Sequence, residues 1–159
     1  MANAVSTAGM NLKYCVETTK GVCPTVNFTT IPGVKVAPAI FNDPNMLQST
    51  PLSATKNHTY IRGLDDSGGA IQFTVNDYKE FRTAWDTCVA AYATAQASDK
   101  GMWFEVAYPS GSDLDSFYFP AEPLPLGFGG ADVDAVLENN LNLSPQGDYK
   151  FAAASITSA

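Results

Sequence analysis

One helical pattern stands among segments that alternate like β-strands, and this arrangement restricts the fold more than any other feature. In residues 71–75, IQFTV, every second side chain is apolar, which is the period of a half-buried strand. Residues 78–92 carry apolar side chains at helical spacing, which predicts an amphipathic helix packed on a sheet. Residues 102–108 and 116–120 indicate a β-hairpin around a polar turn. The pattern predicts a mainly β fold, a β-sandwich or barrel-like sheet with one flanking α-helix.

The ends of this helix carry recognisable signals. Asp77 is the predicted N-cap, and Glu80 three residues later would complete a capping box. The helix is expected to end near Ala97, before a segment that reaches Gly101. Cys88 lies on the apolar stripe, so we expect it to be a small buried hydrophobic residue.

Other extended segments lie on both sides of the helix. Residues 11–16 are predicted to begin a strand, and residues 34–40 form a further short extended run. Residues 132–143 alternate between an apolar face and a polar, acidic face, and this strand would be longer than the roughly five or six residues of an average strand. The acidic side chains on its polar face are Asp132, Asp134 and Glu138.

A long segment without a sustained apolar pattern interrupts the predicted strands at residues 43–70. Compact domains rarely contain a structureless connection longer than about 12–15 residues. The segment is therefore either disordered or an arm that acts outside its own domain. Residues 1–11 also resemble a flexible arm, and the tail at 150–159 gives no clear pattern.

Length and charge limit the classes of function. A chain of 159 residues fits one domain, and its net charge of −7 argues against direct binding to nucleic acid or to anionic membranes. Only 16% of residues are charged, against roughly 25% in typical soluble domains. This indicates either a surface that partners cover or a neutral exterior rich in Thr, Ser and Asn.

The N-terminal sequence and the cysteines favour a soluble protein made in the cytoplasm. The start has no basic segment followed by an apolar run, and no stretch is apolar enough to span a membrane. Cys15, Cys23 and Cys88 are odd in number, which argues against a disulfide framework. With a single histidine the chain also lacks the ligands of a zinc site, and we expect no metal or other cofactor.

Catalytic patterns are weak. The single histidine, His58, lies in the polar sequence KNHTY, and no G-x-S-x-G nucleophile motif is present. Asp132 and Asp134 could act as a pair of carboxylates, but such pairs are usually a solvated face. The sequence therefore predicts that the protein is not an enzyme.

Four segments, in this order, carry a resemblance that spans nearly the whole chain. They are LSATKNHTYIRGLDDSGGAIQFTV, then FRTAWDTCVAAY, then WFEVAYPSG with FYFPAEPLPLG, and last VDAVLENNLNLSPQG. Together with the small, polar start they resemble the major tail tube proteins of long-tailed, siphovirus-type bacteriophages and prophages. The three cysteines depart from this family.

The resemblance implies a structural subunit of the virion tail, synthesised in the host bacterial cytoplasm and without membrane anchoring. Six subunits would form a ring whose sheets join in an inner β-barrel. Rings would stack around a tape-measure protein, between tail initiator and terminator proteins. DNA would pass through the channel without specific binding, and an acidic wall formed by Asp132, Asp134 and Glu138 would repel its phosphates.

The resemblance also assigns the long segment a role in assembly. Residues 43–70 would reach the neighbouring ring, with help from the arms at 1–11 and 150–159. The residues expected to make this contact are Met46, Leu47, Leu52, His58, Tyr60, Ile61, Arg62 and Leu64.

Three other interpretations remain open at this stage. The chain could be a monomeric β-sandwich that binds carbohydrate or another surface through Trp103 and the aromatic residues of SFYFP. It could be a hydrolase that uses Asp132 and Asp134. It could also form a related tube, from a contractile tail or a secretion apparatus.

Overall fold

The computed structural model describes residues 4–40, 46–63, 70–109 and 111–156. Within them the chain forms ten strands and a helix, α1, at Lys79–Ala97. The strands are β1 Asn11–Val16, β2 Thr29–Ile31, β3 Val34–Val36, β4 Met46–Gln48, β5 Tyr60–Arg62, β6 Ile71–Asn76, β7 Met102–Ala107, β8 Ser116–Pro123, β9 Glu138–Pro145 and β10 Lys150–Ala152.

Eight of these strands form one antiparallel sheet in the order β2-β1-β7-β8-β9-β6-β3, with β10 on β8. Strand β8 changes partners along its length. Its first part, Ser116–Tyr118, pairs with β10, and its last part, Ala121–Pro123, pairs with β9. The remaining two strands, β4 and β5, pair only with each other among the described residues.

The two ends of the large sheet are consecutive in the chain. Strands β2 and β3 lie at opposite ends of the strand order, yet only Pro32 and Gly33 separate them. Gly33 has a φ of +83°, and a Cβ there would lie 2.8 Å from the Tyr78 ring. Its carbonyl accepts a hydrogen bond of 2.8 Å from the Asn76 amide. The sheet therefore has to curl into an open barrel.

The concave side of the curled sheet is filled by apolar side chains, and α1 packs against them. Phe104 and Phe119 stack with ring centroids 5.8 Å apart. Trp85 of the helix lies 6.5 Å from the Phe104 ring and donates a hydrogen bond of 3.0 Å to the Leu124 carbonyl. Cys88 is fully buried on the same side, which confirms the prediction from the apolar stripe.

The predicted fold class is confirmed, as are several individual elements. The structure is mainly β with one flanking helix. The alternating segment at 71–75 lies in β6, with its apolar side chains buried. The predicted hairpin is the pair β7 and β8, and the predicted strand at 11–16 is β1.

The prediction for the start of the helix was wrong. The N-cap is Tyr78, and no side chain caps the helix. Asp77 instead accepts two hydrogen bonds from Arg82, of 2.6 and 2.7 Å. These charge-assisted bonds lower the pKa of Asp77 and satisfy the carboxylate that would have served as the cap. The helix does end at Ala97. The residue with a positive φ after its end is Asp99, at 60°, rather than Gly101.

The predicted long strand at 132–143 was also wrong in its first half. Strand β9 begins at Glu138, and Asp132 and Asp134 lie before it in an exposed turn. Asp134 has a φ of 65°, in the left-handed region, which an extended strand cannot accommodate. From Glu138 onward the predicted alternation is present, with Leu141 and Leu143 buried.

The described part of the segment 43–70 contains two strands. Strands β4 and β5 form a hairpin in the middle of this segment. Residues 43–45 and 64–69 lie outside the described residues, as does the start of the arm at 1–11. The tail, which has no clear pattern of its own, supplies β10, and Ile156 forms a parallel bridge with Val26.

The two faces of β9 give a direct test of this fold. Leu141→Ala should lower the free energy of unfolding by about 2–5 kcal/mol, because it opens a cavity in the core. Asn140→Ala, on the exposed face, should change it by less than about 0.5 kcal/mol. Urea denaturation measures both. An equal loss of unfolding free energy in the two variants would show that the buried and exposed faces of β9 are assigned wrongly.

Candidate assembly surfaces

The β4–β5 hairpin exposes apolar side chains on both faces. Leu47 lies directly opposite Ile61 on one face, and Met46 and Tyr60 lie on the other. Each of these four side chains is about half exposed, between 49% and 56%. A two-stranded hairpin is marginally stable in water by itself. Covering the hairpin would therefore remove apolar side chains from water and stabilise its two strands.

The loop of the hairpin is held by polar contacts. The Nδ1 atom of His58 lies 2.8 Å from Nε2 of Gln48 and 3.2 Å from the Thr50 hydroxyl. The Thr59 amide donates a hydrogen bond of 2.9 Å to the same hydroxyl. His58 thus braces the loop, while Leu52 at its tip is fully exposed.

The structure brings together most of the residues expected at an assembly contact. Leu64 lies outside the described residues, and Arg62 ends β5. The predicted residues that the hairpin carries are Met46, Leu47, Leu52, His58, Tyr60, Ile61 and Arg62.

The predicted acidic strand face is reduced to one residue. Glu138 lies at the start of β9, and its carboxylate forms an ion pair of 2.8 Å with Lys35. Across the outward side, Gln72 of β6 lies opposite Asn142, and Thr74 opposite Asn140. On β6 and β9 this face is rich in amides, and its one carboxylate is that of Glu138. A contact of Asp132, Asp134 or Glu138 with a lumen stays a prediction.

Asp132 and Asp134 belong to a separate surface, the loop of residues 127–137 that precedes β9, which we call the acidic loop. Its base is fixed, because the Asn139 side chain donates a hydrogen bond of 2.8 Å to the Gly127 carbonyl. At Gly129 a Cβ would lie 2.7 Å from the Glu138 carbonyl oxygen, so only glycine fits there. The exposed apolar side chains of the acidic loop are Phe128, Val133, Val136 and Leu137.

A buried carboxylate on the convex side of the sheet was missed by the sequence analysis. Glu105 of β7 is completely buried. It accepts hydrogen bonds from the Ser155 amide at 3.1 Å and from the Ser155 hydroxyl at 2.5 Å. The Tyr118 hydroxyl lies 3.1 Å from the same carboxylate and 2.7 Å from the Ala153 carbonyl. Glu105 therefore anchors the C-terminal segment on the sheet.

Two opposed effects set the pKa of Glu105. Burial disfavours the charged form and would raise the pKa, but the hydrogen bonds from Ser155 and Tyr118 stabilise the carboxylate and lower it below its ordinary value of 4.5. The carboxylate thus stabilises the fold at neutral pH. This contribution is lost as the pH falls through the pKa of the folded state.

The aromatic residues considered for ligand stacking are largely enclosed. Trp103 is buried, and its indole nitrogen donates a hydrogen bond of 2.9 Å to Glu17. Phe117, Tyr118 and Phe119 of β8 are buried as well. These side chains do not present the open face that stacking on a sugar requires.

An apolar cleft of about 820 Å³ opens at the end of the curled sheet where β3 ends. Met10 of the N-terminal arm, Val36 and Phe117 contribute to its lining. The exposed Phe151 ring stands 5.1 Å from the Phe117 ring at its edge. Apolar side chains form most of its lining, and the polar ones are those of Thr7, Asn11, Lys35 and Tyr108.

Among the described residues, no three His, Cys, Asp or Glu side chains lie close enough to hold a metal ion. In the same part of the chain, no helix combines the length and apolar character needed to cross a membrane.

The anchoring of the C-terminal segment can be tested through pH. Ser155→Ala removes a hydroxyl that donates to Glu105, and it should cost about 1.5–3 kcal/mol of unfolding free energy at pH 7. The cost should shrink near pH 3, because a protonated Glu105 needs the donor less. Urea midpoints at both pH values measure this, with Ser53→Ala in the exposed hairpin loop as the control. A cost that is the same at both pH values would contradict the account.

Comparisons with known proteins bear on the fold. No protein-family model matches the chain. No curated protein matches it either. Among solved structures, it is similar to a chain in the cryo-EM structure of the six-fold symmetrised baseplate of the anti-feeding prophage, with a TM-score of 0.61 and 10% sequence identity. The alignment covers 96% of this chain and 98% of the other. At this identity the likeness establishes a shared fold.

Proposed function

We propose that this protein is a structural, non-enzymatic subunit of a phage tail or of a tail-like particle. The observation that carries the proposal is the likeness in fold to a prophage baseplate chain along nearly the whole of both chains. A match over this extent includes the helix and the ends of the sheet as well as the common core. The resemblance of the sequence to tail tube proteins supports the same class.

Within this class we propose the tail tube itself. Six copies would form a ring, and rings would stack into a tube around a tape-measure protein, between initiator and terminator proteins. The six-fold symmetry of the baseplate that holds the similar chain supports this ring number. The protein would reside in the virion tail, without a cofactor or a membrane anchor. A related tube inside a sheath belongs to the same proposal.

Two physical features support a self-assembling subunit. The hairpin exposes five large apolar side chains that a neighbouring copy could cover, four on its strands and Leu52 at its tip. The outward face of β6 and β9 carries amides and hydroxyls, and its one carboxylate, Glu138, is paired with Lys35. Such a face lacks the cluster of Lys and Arg that holds phosphates, so DNA could pass along it without sticking.

Electron micrographs of the purified protein test this proposal. We expect rings or tubes with a central channel, either spontaneously or at raised protein concentration. Sedimentation velocity on the same samples gives the fraction assembled. A protein that stays monomeric at millimolar concentration and lacks rings in micrographs would contradict the proposal.

A variant with the hairpin replaced tests its part in assembly. When residues 46–62 are exchanged for a short Gly-Ser linker, the large sheet keeps all its strands, so the subunit should stay folded by circular dichroism. It should fail to stack into tubes. Normal tubes from this variant would show that the hairpin has no role in stacking.

A further inference from the structure

We infer that the β4–β5 hairpin of one copy binds the acidic loop, residues 127–137, of the next copy. The contact would join copies end to end. This inference rests on the proposed self-assembly and adds the surface that receives the hairpin. Three independent features of the described residues point to this pairing: charge, exposed apolar area and position in the sheet.

The charges of the two surfaces are opposite. The hairpin, residues 46–62, contains Lys56 and Arg62 and no acidic residue, while Asp43, Asp65 and Asp66 flank it in the chain. The acidic loop contains Asp132 and Asp134 and no basic residue. The exposed Lys56 in the loop of the hairpin is the charge that would attract the carboxylates of the acidic loop in another copy.

The two surfaces also share exposed apolar side chains. At the tip of the hairpin Leu52 is fully exposed, and in the acidic loop Val133 is 98% and Phe128 81% exposed. Contiguous exposed apolar surface with a charged rim is typical of an interface. Contact between the two surfaces would remove the apolar side chains of both from water. The charges at the rim would give the contact its specificity.

The chain connections of the two surfaces lead to opposite ends of β6. The hairpin precedes β6 in the chain and is attached at the end where Ile71 begins the strand. The acidic loop lies at the other end, because the amide of Asp77, just after β6, donates a hydrogen bond of 3.0 Å to the Leu137 carbonyl. The strand between them spans roughly 20 Å at about 3.3 Å per residue.

This placement has a consequence for symmetry. A surface at one end that binds a different surface at the other end is a heterologous contact, which repeats without closing when copies are related by translation along the axis. Stacked copies would therefore leave a hairpin and an acidic loop exposed only at the two ends of the stack. The inferred contact thus produces an open-ended filament.

A charge swap tests the contact. Lys56→Glu or Asp132→Lys alone should raise the protein concentration needed for assembly about tenfold or more, the effect of losing about 1.4 kcal/mol. The two changes together should return the protein concentration needed for assembly to within about threefold of the wild-type value. Asp132 is chosen because Asp134 has a positive φ, where lysine would be strained. The control Asp115→Lys changes an exposed charge elsewhere and should have no effect.

Cross-linking tests the contact without requiring complete tubes. In a Cys15→Ser background, Leu52→Cys and Val133→Cys in one chain should give a ladder of oligomers with a short bis-maleimide, since Cys23 and Cys88 are buried. Chains with one of the two new cysteines should give no such ladder, because a single site joins at most two chains.

The outcomes separate this inference from the proposed function. Tubes that form normally in the Asp132→Lys variant, with no ladder from the doubly substituted chain, would overturn the inference and leave the tail role intact. A ladder in a protein that never forms rings would support the contact and contradict the tube. A double charge variant that assembles no better than the worse single variant would overturn the inference as well.

Discussion

The turn at Pro32 and Gly33 imposes the constraint on which the rest of the structure depends. It joins β2 to β3, which occupy opposite ends of the strand order, so the sheet has to curl until its two ends lie within three residues of each other. Gly33 provides the positive φ and the space beside the Tyr78 ring that this turn needs. The concave side becomes the core, and α1 fills the opening with Phe81, Trp85 and Cys88.

The curl of the sheet also determines which surface segments lie at its two rims. The strands run between two rims, and the connections collect at those rims. The β4–β5 hairpin is attached at one rim and the acidic loop lies at the other, on either side of β6. A subunit with different chemistry at the two rims of its sheet is suited to stacking, because each contact exposes the next equivalent surface.

Much of the fold was predictable because it follows from the spacing of apolar side chains along each segment. The alternation in β6 and in the β7–β8 pair, and the helical stripe through Cys88, follow from which side chains face the core. The helix start was not predictable, because Asp77 could cap the helix or pair with Arg82, and only the folded geometry decides between them. The start of β9 was misplaced because alternation continues through a turn in which Asp134 leaves the extended region.

The surfaces were predictable only in part. The sequence marked residues 43–70 as unusual, but pairing of Met46–Gln48 with Tyr60–Arg62 requires contacts across a long loop that no local pattern specifies. Glu105 was overlooked because it alternates with apolar residues like any outward-facing carboxylate. Its burial depends on Ser155, fifty residues later in the chain. Long-range partners of this kind are what a single sequence does not record.

The central claim is that copies of this chain stack end to end through the hairpin and the acidic loop. A cryo-EM reconstruction of the assembled protein tests it most directly, at a resolution that shows side chains. We expect density for residues 46–62 of each subunit against residues 127–137 of the next, with Leu52 near Val133 and Lys56 near Asp132. Hairpins that fold back on their own subunit, or acidic loops that face solvent throughout the assembly, would contradict it.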